Sequence, residues 1–361
     1  MNVSVLVENT SLSPAFLCEH GLSLLIETEK QKILFDMGQT DAYLKNAKAL
    51  GISLQDVDFA VLSHGHYDHG GGIPAFFQEN DHAPLYLSQT AFGDFYNAEE
   101  KYIGLDKQFV ASKRIHLTGN VHTIHMDCTL FSCNDFDRPF PAAPHGLKEK
   151  CGEHIYADRF HHEQYLLIRE GGKRILFSGC SHKGILNIIN WFRPHVLIGG
   201  LHLMKTDVHA KDGLACLNQV ADMLKKEQVI CYTGHCTGQE QFDYLKQKLG
   251  DQLHALFAEL DAAVVALQKG KAHLPFQGVH HVGQSRLGIS HHLGSLGKAA
   301  QICRRHQNLQ FLAVHNPAPF PFRKYESFSY PYYKEAFASL QAKCYNDQKE
   351  SGCAYGKATQ L

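Results

Sequence analysis

Four short apolar runs of this chain each lead straight into a histidine or a cysteine. Phe59-Ala60-Val61-Leu62 leads to His64, and Arg174 to Gly179 leads to Cys180-Ser181-His182. Val196 to Leu201 leads to His202, and Val229 to Gly234 leads to His235-Cys236. Runs of this length, rich in Val, Ile, Leu and Phe, read as strands. The carboxyl ends of neighbouring strands form the crevice where α/β proteins bind ligands, so these side chains are expected to converge on one site.

The first of the four is the densest. His64-Gly65-His66-Tyr67-Asp68-His69 places three imidazoles and a carboxylate within six residues, followed by Gly70-Gly71-Gly72. Such a cluster at the end of a buried strand is costly unless a cation binds it, and imidazole and carboxylate are the usual non-sulfur zinc ligands, suited also to iron and manganese. The i, i+2 spacing lets His64 and His66 reach one ion while Asp68 and His69 turn toward a second. This differs from the helical H-E-x-x-H arrangement, whose histidines lie four apart on one face. A metal-free, His-rich surface loop is the plainer alternative, and the strand-then-turn context argues against it.

The other strand ends have plainer readings too. His182 opens a helical pattern and can serve as its cap. Cys180 can be a small buried hydrophobe, and His202 a hydrogen-bonded strand-end histidine. His235 sits between Gly234 and Gly238, which permit close approach of a ligand, and is read as a metal ligand. Asp36, after Leu34-Phe35, is expected to support the His64–His69 loop by hydrogen bonding, as metal-bound histidines require such partners. For Cys180 two readings stay open: a thiolate ligand, or a packed thiol beside His182. The second is preferred, because His182 offers an alternative ligand at the same strand end.

Further strands are expected at about 2–8, 22–28, 32–36, 84–88, 121–126, 164–169 and 252–257, and helices at 40–50, 71–79, 183–192, 211–226 and 238–249. Clustered strands that then alternate with helices predict an α/β (α+β) layout of helix-covered sheets. Residues 89–160, around Cys133 to Pro141, are expected to be an irregular lid or substrate insertion.

Charge divides the chain. Residues 269–361 carry 12 Lys and Arg against 4 Asp and Glu, and residues 1–268 carry 23 against 32. The expected organisation is a catalytic domain over 1–268 and a basic, aromatic-rich extension over 269–361. The near-neutral total, 35 basic against 36 acidic residues, provides no global field for nucleic acid or membranes. The opening Met1 to Glu8 reads as a strand rather than a signal peptide, and no run has the length of a membrane span. Eleven cysteines without paired spacing fit reduced thiols in a cytoplasm.

The complete H-x-H-x-D-H signature of His64, His66, Asp68 and His69 resembles that of the metallo-β-lactamase superfamily. Within it, Glu19-His20-Gly21, Phe35-Asp36-Met37-Gly38, Gly179-Cys180-Ser181-His182-Lys183-Gly184, Gly200-Leu201-His202 and Gly234-His235-Cys236-Thr237-Gly238 are similar to the 7,8-dihydropterin-6-yl-methyl-4-(β-D-ribofuranosyl)aminobenzene 5'-phosphate synthase branch. The likeness covers about residues 1–260. It implies an αββα sandwich with a one- or two-metal site at the sheet edges. By position, His64 and His66 would hold the first ion, and Asp68, His69 and His235 the second. The superfamily's bridging residue falls at Cys180, in a segment that in this branch also supplies His182. Its third histidine falls near His161-His162-Glu163-Gln164, where His162, Glu163 or neither binds metal.

The cofactor expected is one or two divalent ions, zinc first, with iron or manganese compatible with the same donors. Asp68 is the expected general base, with His182 and His202 candidates for phosphate contact or proton transfer. The implied activity acts on a small phosphorylated substrate, joining a dihydropterin-methyl diphosphate to a ribofuranosylaminobenzene phosphate with pyrophosphate leaving. Hydrolysis of another phosphoester, ester or lactam uses the same site. A non-catalytic metal-binding regulator is the third reading, weakened by Asp68, which a structural site does not need. Residues 269–361 resemble no family. Packing or homo-oligomerisation is preferred for them over contact with anions or nucleic acid, and no membrane partner is expected.

Overall fold

The computed structural model describes residues 1–256 apart from 12, 143 and 144. The chain begins with β1 (Asn2–Val7), β2 (Ser23–Glu27), β3 (Lys32–Phe35), α1 (Ala42–Ala49), β4 (Phe59–Val61), α2 (Tyr67–Gly70), α3 (Ile73–Glu79) and β5 (Leu85–Ser88). A run of short strands follows: β6 (Asp94–Tyr96), β7 (Ile115–Thr118), β8 (Val121–His125), β9 (Cys128–Phe131), β10 (Lys148–Cys151) and β11 (His154–Ala157). Then come β12 (Tyr165–Glu170), β13 (Lys173–Ser178), α4 (Ile185–Phe192), β14 (Val196–Gly199), α5 (Lys211–Lys226), β15 (Ile230–Thr233), α6 (Gln239–Leu249) and β16 (Leu253–Ala255).

Two large sheets carry the fold. One has the order β1-β2-β3-β4-β5-β7 and the other β16-β15-β14-β13-β12-β9-β8. Side chains alternate across each strand, so a strand buried on both faces feeds two cores. Ile33 and Phe35 of β3 turn inward to meet Ile175, Phe177 and Ile198 of the other sheet, with the Phe35 and Phe177 rings 5.8 Å apart. Leu34, between them, faces outward onto Tyr43 of α1 and Phe76 of α3. Leu176 and Leu197 likewise face outward, onto Ile188 of α4, Leu217 and Val220 of α5 and Leu245 of α6. The result is the expected helix, sheet, sheet, helix order. No helix of the described residues is long and apolar enough to cross a membrane.

Residues 89–160 depart from the irregular segment expected. They contribute β7 to the first sheet and β8 and β9 to the second, and only β6, β10 and β11 stand apart as a third, three-stranded sheet. The strand expected at 121–126 is β8, while the unexpected strands lack the long apolar runs that mark a buried strand, and His154–Ala157 is exposed at every position. The extension over 269–361, with its boundary and expected roles, lies outside the described residues.

Candidate metal centre

Parallel pairing sets the site. β3 and β4 run parallel in one sheet and β13, β14 and β15 in the other, so their carboxyl ends share an edge. β1 ends at the same edge, and the antiparallel β12 begins there. The chain turns sharply at each of these ends. Asp36, Ser181, His202 and His235 all hold positive φ, at 58°, 62°, 54° and 49°. Each such residue costs on the order of 1 kcal/mol or more, and strain of this kind collects at functional sites.

His64, His66 and His182 form one group of donors, mutually within 4.8 Å. The Nε2 atoms of His64 and His182 lie 3.3 Å apart. His64 Nδ1 is held by Ser63 Oγ at 2.8 Å, and Ser63 is anchored on both carboxylate oxygens of Asp36. His66 Nε2 and His182 Nδ1 are buried without a hydrogen-bond partner. Burial, reinforced by the surrounding imidazoles, holds His64 and His182 well below the usual histidine range, and lowers His66 to about 3. Neutral imidazole is the form that binds a metal.

His69, Asp68 and His235 form the second group. The His69 and His235 Nε2 atoms are 3.1 Å apart, and Asp68 Oδ2 lies 3.7 Å from the first and 3.5 Å from the second. Asp36 Oδ2 takes the other His69 nitrogen at 2.7 Å, as expected of a supporting residue. Burial opposes charge on His69, yet the Asp36 and Asp68 carboxylates raise its ring to about 9. Asn9 Oδ1 holds His235 Nδ1 at 2.8 Å, and Glu8 accepts a short hydrogen bond from the His235 backbone. Cys180 Sγ sits between the two groups, 3.3 Å from His69 Nε2 and within a common donor set with His64 and His69.

His162 is placed differently from the expectation. Its Nδ1 accepts the Gly65 backbone N–H at 2.9 Å and its Nε2 binds Asp158 at 3.1 Å, so both nitrogens are committed within the protein. It buttresses the His64–His66 turn from behind. Glu163 is equally committed, accepting from the backbone of His182 at 2.7 Å and of Lys183 at 3.0 Å, and from Tyr165 Oη at 2.5 Å. The third imidazole of the first group is therefore His182.

Two neighbours carried no role in the sequence reading. His20 Nε2 approaches Asp68 Oδ2 to 3.4 Å while its ring lies 4.8 Å from that of His235. The Cys236 thiol is buried against the Cys180 carbonyl at 3.4 Å. Both lie in motifs already noted, Glu19-His20-Gly21 and His235-Cys236-Thr237, but spacing alone did not reveal which way they point. Outside the ligand groups a cavity of about 210 Å³ opens, lined by Tyr67, Asn97, His145, His202 and Lys205.

The donor set fits a divalent metal. Metal–nitrogen bonds of about 2.0–2.1 Å at tetrahedral angles put two ligand atoms about 3.3 Å apart, which matches the 3.1 and 3.3 Å spacings of the facing Nε2 pairs. The orphaned His66 Nε2 is otherwise unexplained, since a buried polar atom without a partner costs about 1–3 kcal/mol.

The family model of the metallo-beta-lactamase superfamily matches residues 18–211. An uncharacterized protein of Methanocaldococcus jannaschii is 30% identical over 260 residues, 68% of this chain and 94% of its own. The 7,8-dihydropterin-6-methyl-4-(beta-D-ribofuranosyl)-aminobenzene-5'-phosphate synthase of the same organism is 28% identical over 271 residues, 67% of this chain and 89% of its own. A crystal structure of a metal-dependent hydrolase of the β-lactamase superfamily superposes with a TM-score of 0.61 at 26% identity, covering 72% of this chain and 96% of that one.

Proposed function

Because the chain belongs to the metallo-β-lactamase superfamily, we propose that it is a two-metal enzyme acting on a small phosphorylated substrate, condensing a dihydropterin-methyl diphosphate with a ribofuranosylaminobenzene phosphate. The observation that carries the metal reading is the convergence of His64, His66 and His182 beside Asp68, His69 and His235, with His66 Nε2 left without a protein partner. The substrate class rests on the similarity to the pterin synthase.

His64, His66 and His182 would hold one ion, and Asp68, His69 and His235 the other, with Cys180 between them. Bound there, the ions would supply Lewis-acid charge against a departing pyrophosphate. Asp68 lies against His69 and His235 and lines the cavity, and would take the proton of the incoming nucleophile. His202 and Lys205, which both line the cavity, would bind substrate phosphate. Asp36, Ser63 and Asn9 hold the imidazoles in orientation, so the site is organised before substrate arrives.

Hydrolysis of another phosphoester is the second reading, favoured by the structural likeness to a metal-dependent hydrolase. Metal-loaded protein is to be assayed with the pterin diphosphate and its amine partner, and separately with bis(p-nitrophenyl) phosphate. Pyrophosphate release tied to condensation supports the first reading, and turnover of the diester alone supports the second. Asp68→Ala and His66→Ala are expected to abolish either activity. Full activity in a His64→Ala, His66→Ala double variant would refute both.

A further inference from the structure

On the α4 and α5 side of the metal centre lies a second cavity, of about 170 Å³, that neither ligand group uses. Ile185 and Leu186 of α4, Leu201 and Leu203 after β14, and Val220 of α5 form its walls. All five are buried members of the core that α4, α5 and α6 make with the second sheet, so the wall is aliphatic and held in shape by packing. Small residues keep the recess open: Gly184 holds a φ of 90°, and a side chain there would close on Ala142 Cβ at 3.0 Å. His145, His182 and His202 line both this recess and the cavity of about 210 Å³, so the two adjoin.

The lining selects what can enter. The hydroxyl buried in the wall, Ser181 Oγ, already donates to the Gly200 carbonyl at 2.6 Å and meets Ser178 Oγ at 2.8 Å. Among the described residues that line the recess there is no carboxylate or carboxamide side chain. A pterin entering here would bury its amino-pyrimidinone edge with no such acceptor, and buried donors left unpaired oppose binding. An unfused benzene ring makes no such demand, and an aliphatic cavity of about 150 Å³ takes one. We propose that this recess is the specificity pocket for one half of the substrate: it takes the benzene ring of the aminobenzene partner, with Leu186, Leu203 and the half-buried Cys216 setting its width, and leaves the pterin half to the neighbouring cavity lined by Tyr67 and Asp68. This deepens, and rests on, the reading that the enzyme condenses those two halves.

The probe is 4-methylaniline, which keeps the ring and its amine and carries a methyl in place of the ribose. It is titrated into the full chain, stripped with a chelator and carrying ¹³C-labelled Ile, Leu and Val methyls. The methyl resonances of Leu186, Leu203 and Val220 are expected to shift, and 6-hydroxymethylpterin is expected to leave them in place. Cys216→Phe, which puts a ring of the protein's own beside the recess, is expected to weaken 4-methylaniline binding about tenfold. In the metal-loaded enzyme the same variant should raise KM for the aminobenzene phosphate by a similar factor and leave KM for the pterin diphosphate unchanged. The wild-type methyl map needs no variant, and decides the matter if Cys216→Phe does not fold. Shifts confined to other methyls, a pterin that moves the same three, or a folded Cys216→Phe protein that binds 4-methylaniline as the wild type does would overturn the proposal. Because the titration is run without metal, it fails separately from the metal reading: a protein that shows these shifts yet binds no metal keeps the recess and sinks the centre, and one that binds metal with those three methyls unmoved sinks the recess alone.

Discussion

Packing five or more imidazoles around two carboxylates makes their titration pull in opposite directions. His66 is lowered to about 3 from its ordinary 6.5, chiefly by burial, while His69 is raised to about 9 by Asp36 and Asp68 against burial. As pH falls below 6.5 the unfolded chain takes up a proton that folded His66 refuses until about 3, so stability is lost over that window. His64 and His182 act in the same direction. The His69–Asp36 pair contributes stability that is full below 6.5 and disappears as pH rises to about 9. The metal-free protein is therefore expected to be most stable near pH 6.5, with thermal midpoints falling on both sides. Asp36→Asn should reduce the alkaline slope, leaving the part due to Asp68, and cost about 3–5 kcal/mol, as breaking a buried pair does. A midpoint that climbs steadily from pH 5 to 9 in the wild-type chelated protein would contradict this account. At this scale the sequence was legible where residue type alone decides. Asp36 had to be a partner of buried histidines. It was not legible where orientation decides, since nothing in His161-His162-Glu163 says that both His162 nitrogens are already taken.

Between residue and molecule stands the turn from β13 to α4, which carries Cys180, His182 and Lys183. Lys183 is fully buried, and donates to the Ser132 and Glu163 carbonyls at 2.5 and 2.7 Å. Burial lowers its amine to about 8. Together with the Glu163 carboxylate it ties that turn to the start of β12 and the end of β9. Lys183→Met keeps the volume and orphans two carbonyls, so it is expected to cost about 2–4 kcal/mol in urea unfolding. It should also weaken metal binding at the His182 group, because the backbone that aims His182 is no longer held; unchanged affinity would mean the strut serves stability alone. The strands on either side of this turn could be read from sequence because both of their faces are buried and their apolar runs are continuous. β10 and β11 could not, since Lys148–Cys151 and His154–Ala157 bury little. Cys236 was missed for a related reason: it follows His235 in a tight 3₁₀ turn, where adjacent side chains can both reach one cluster, unlike the alternation of a strand.

For the whole molecule, every donor placed at the centre among the described residues lies between residues 20 and 236. A chain ending at residue 268 is accordingly expected to bind the same number of ions as the full one. Each ion bound only to the folded state at a hundred times its dissociation constant adds about 2.7 kcal/mol. For a domain of this size that corresponds to a rise of about 5–10 °C in thermal midpoint per ion. Chelation should therefore lower the midpoint of the truncated and the full chain by the same interval, measured at equal protein and metal concentration. A truncated chain that is soluble and folded but insensitive to chelator would show that residues beyond 268 complete the centre. Equal intervals with a lower baseline in the truncated chain would instead assign the extension a packing role, because a constant offset independent of metal is what lost apolar burial produces and lost ligation does not.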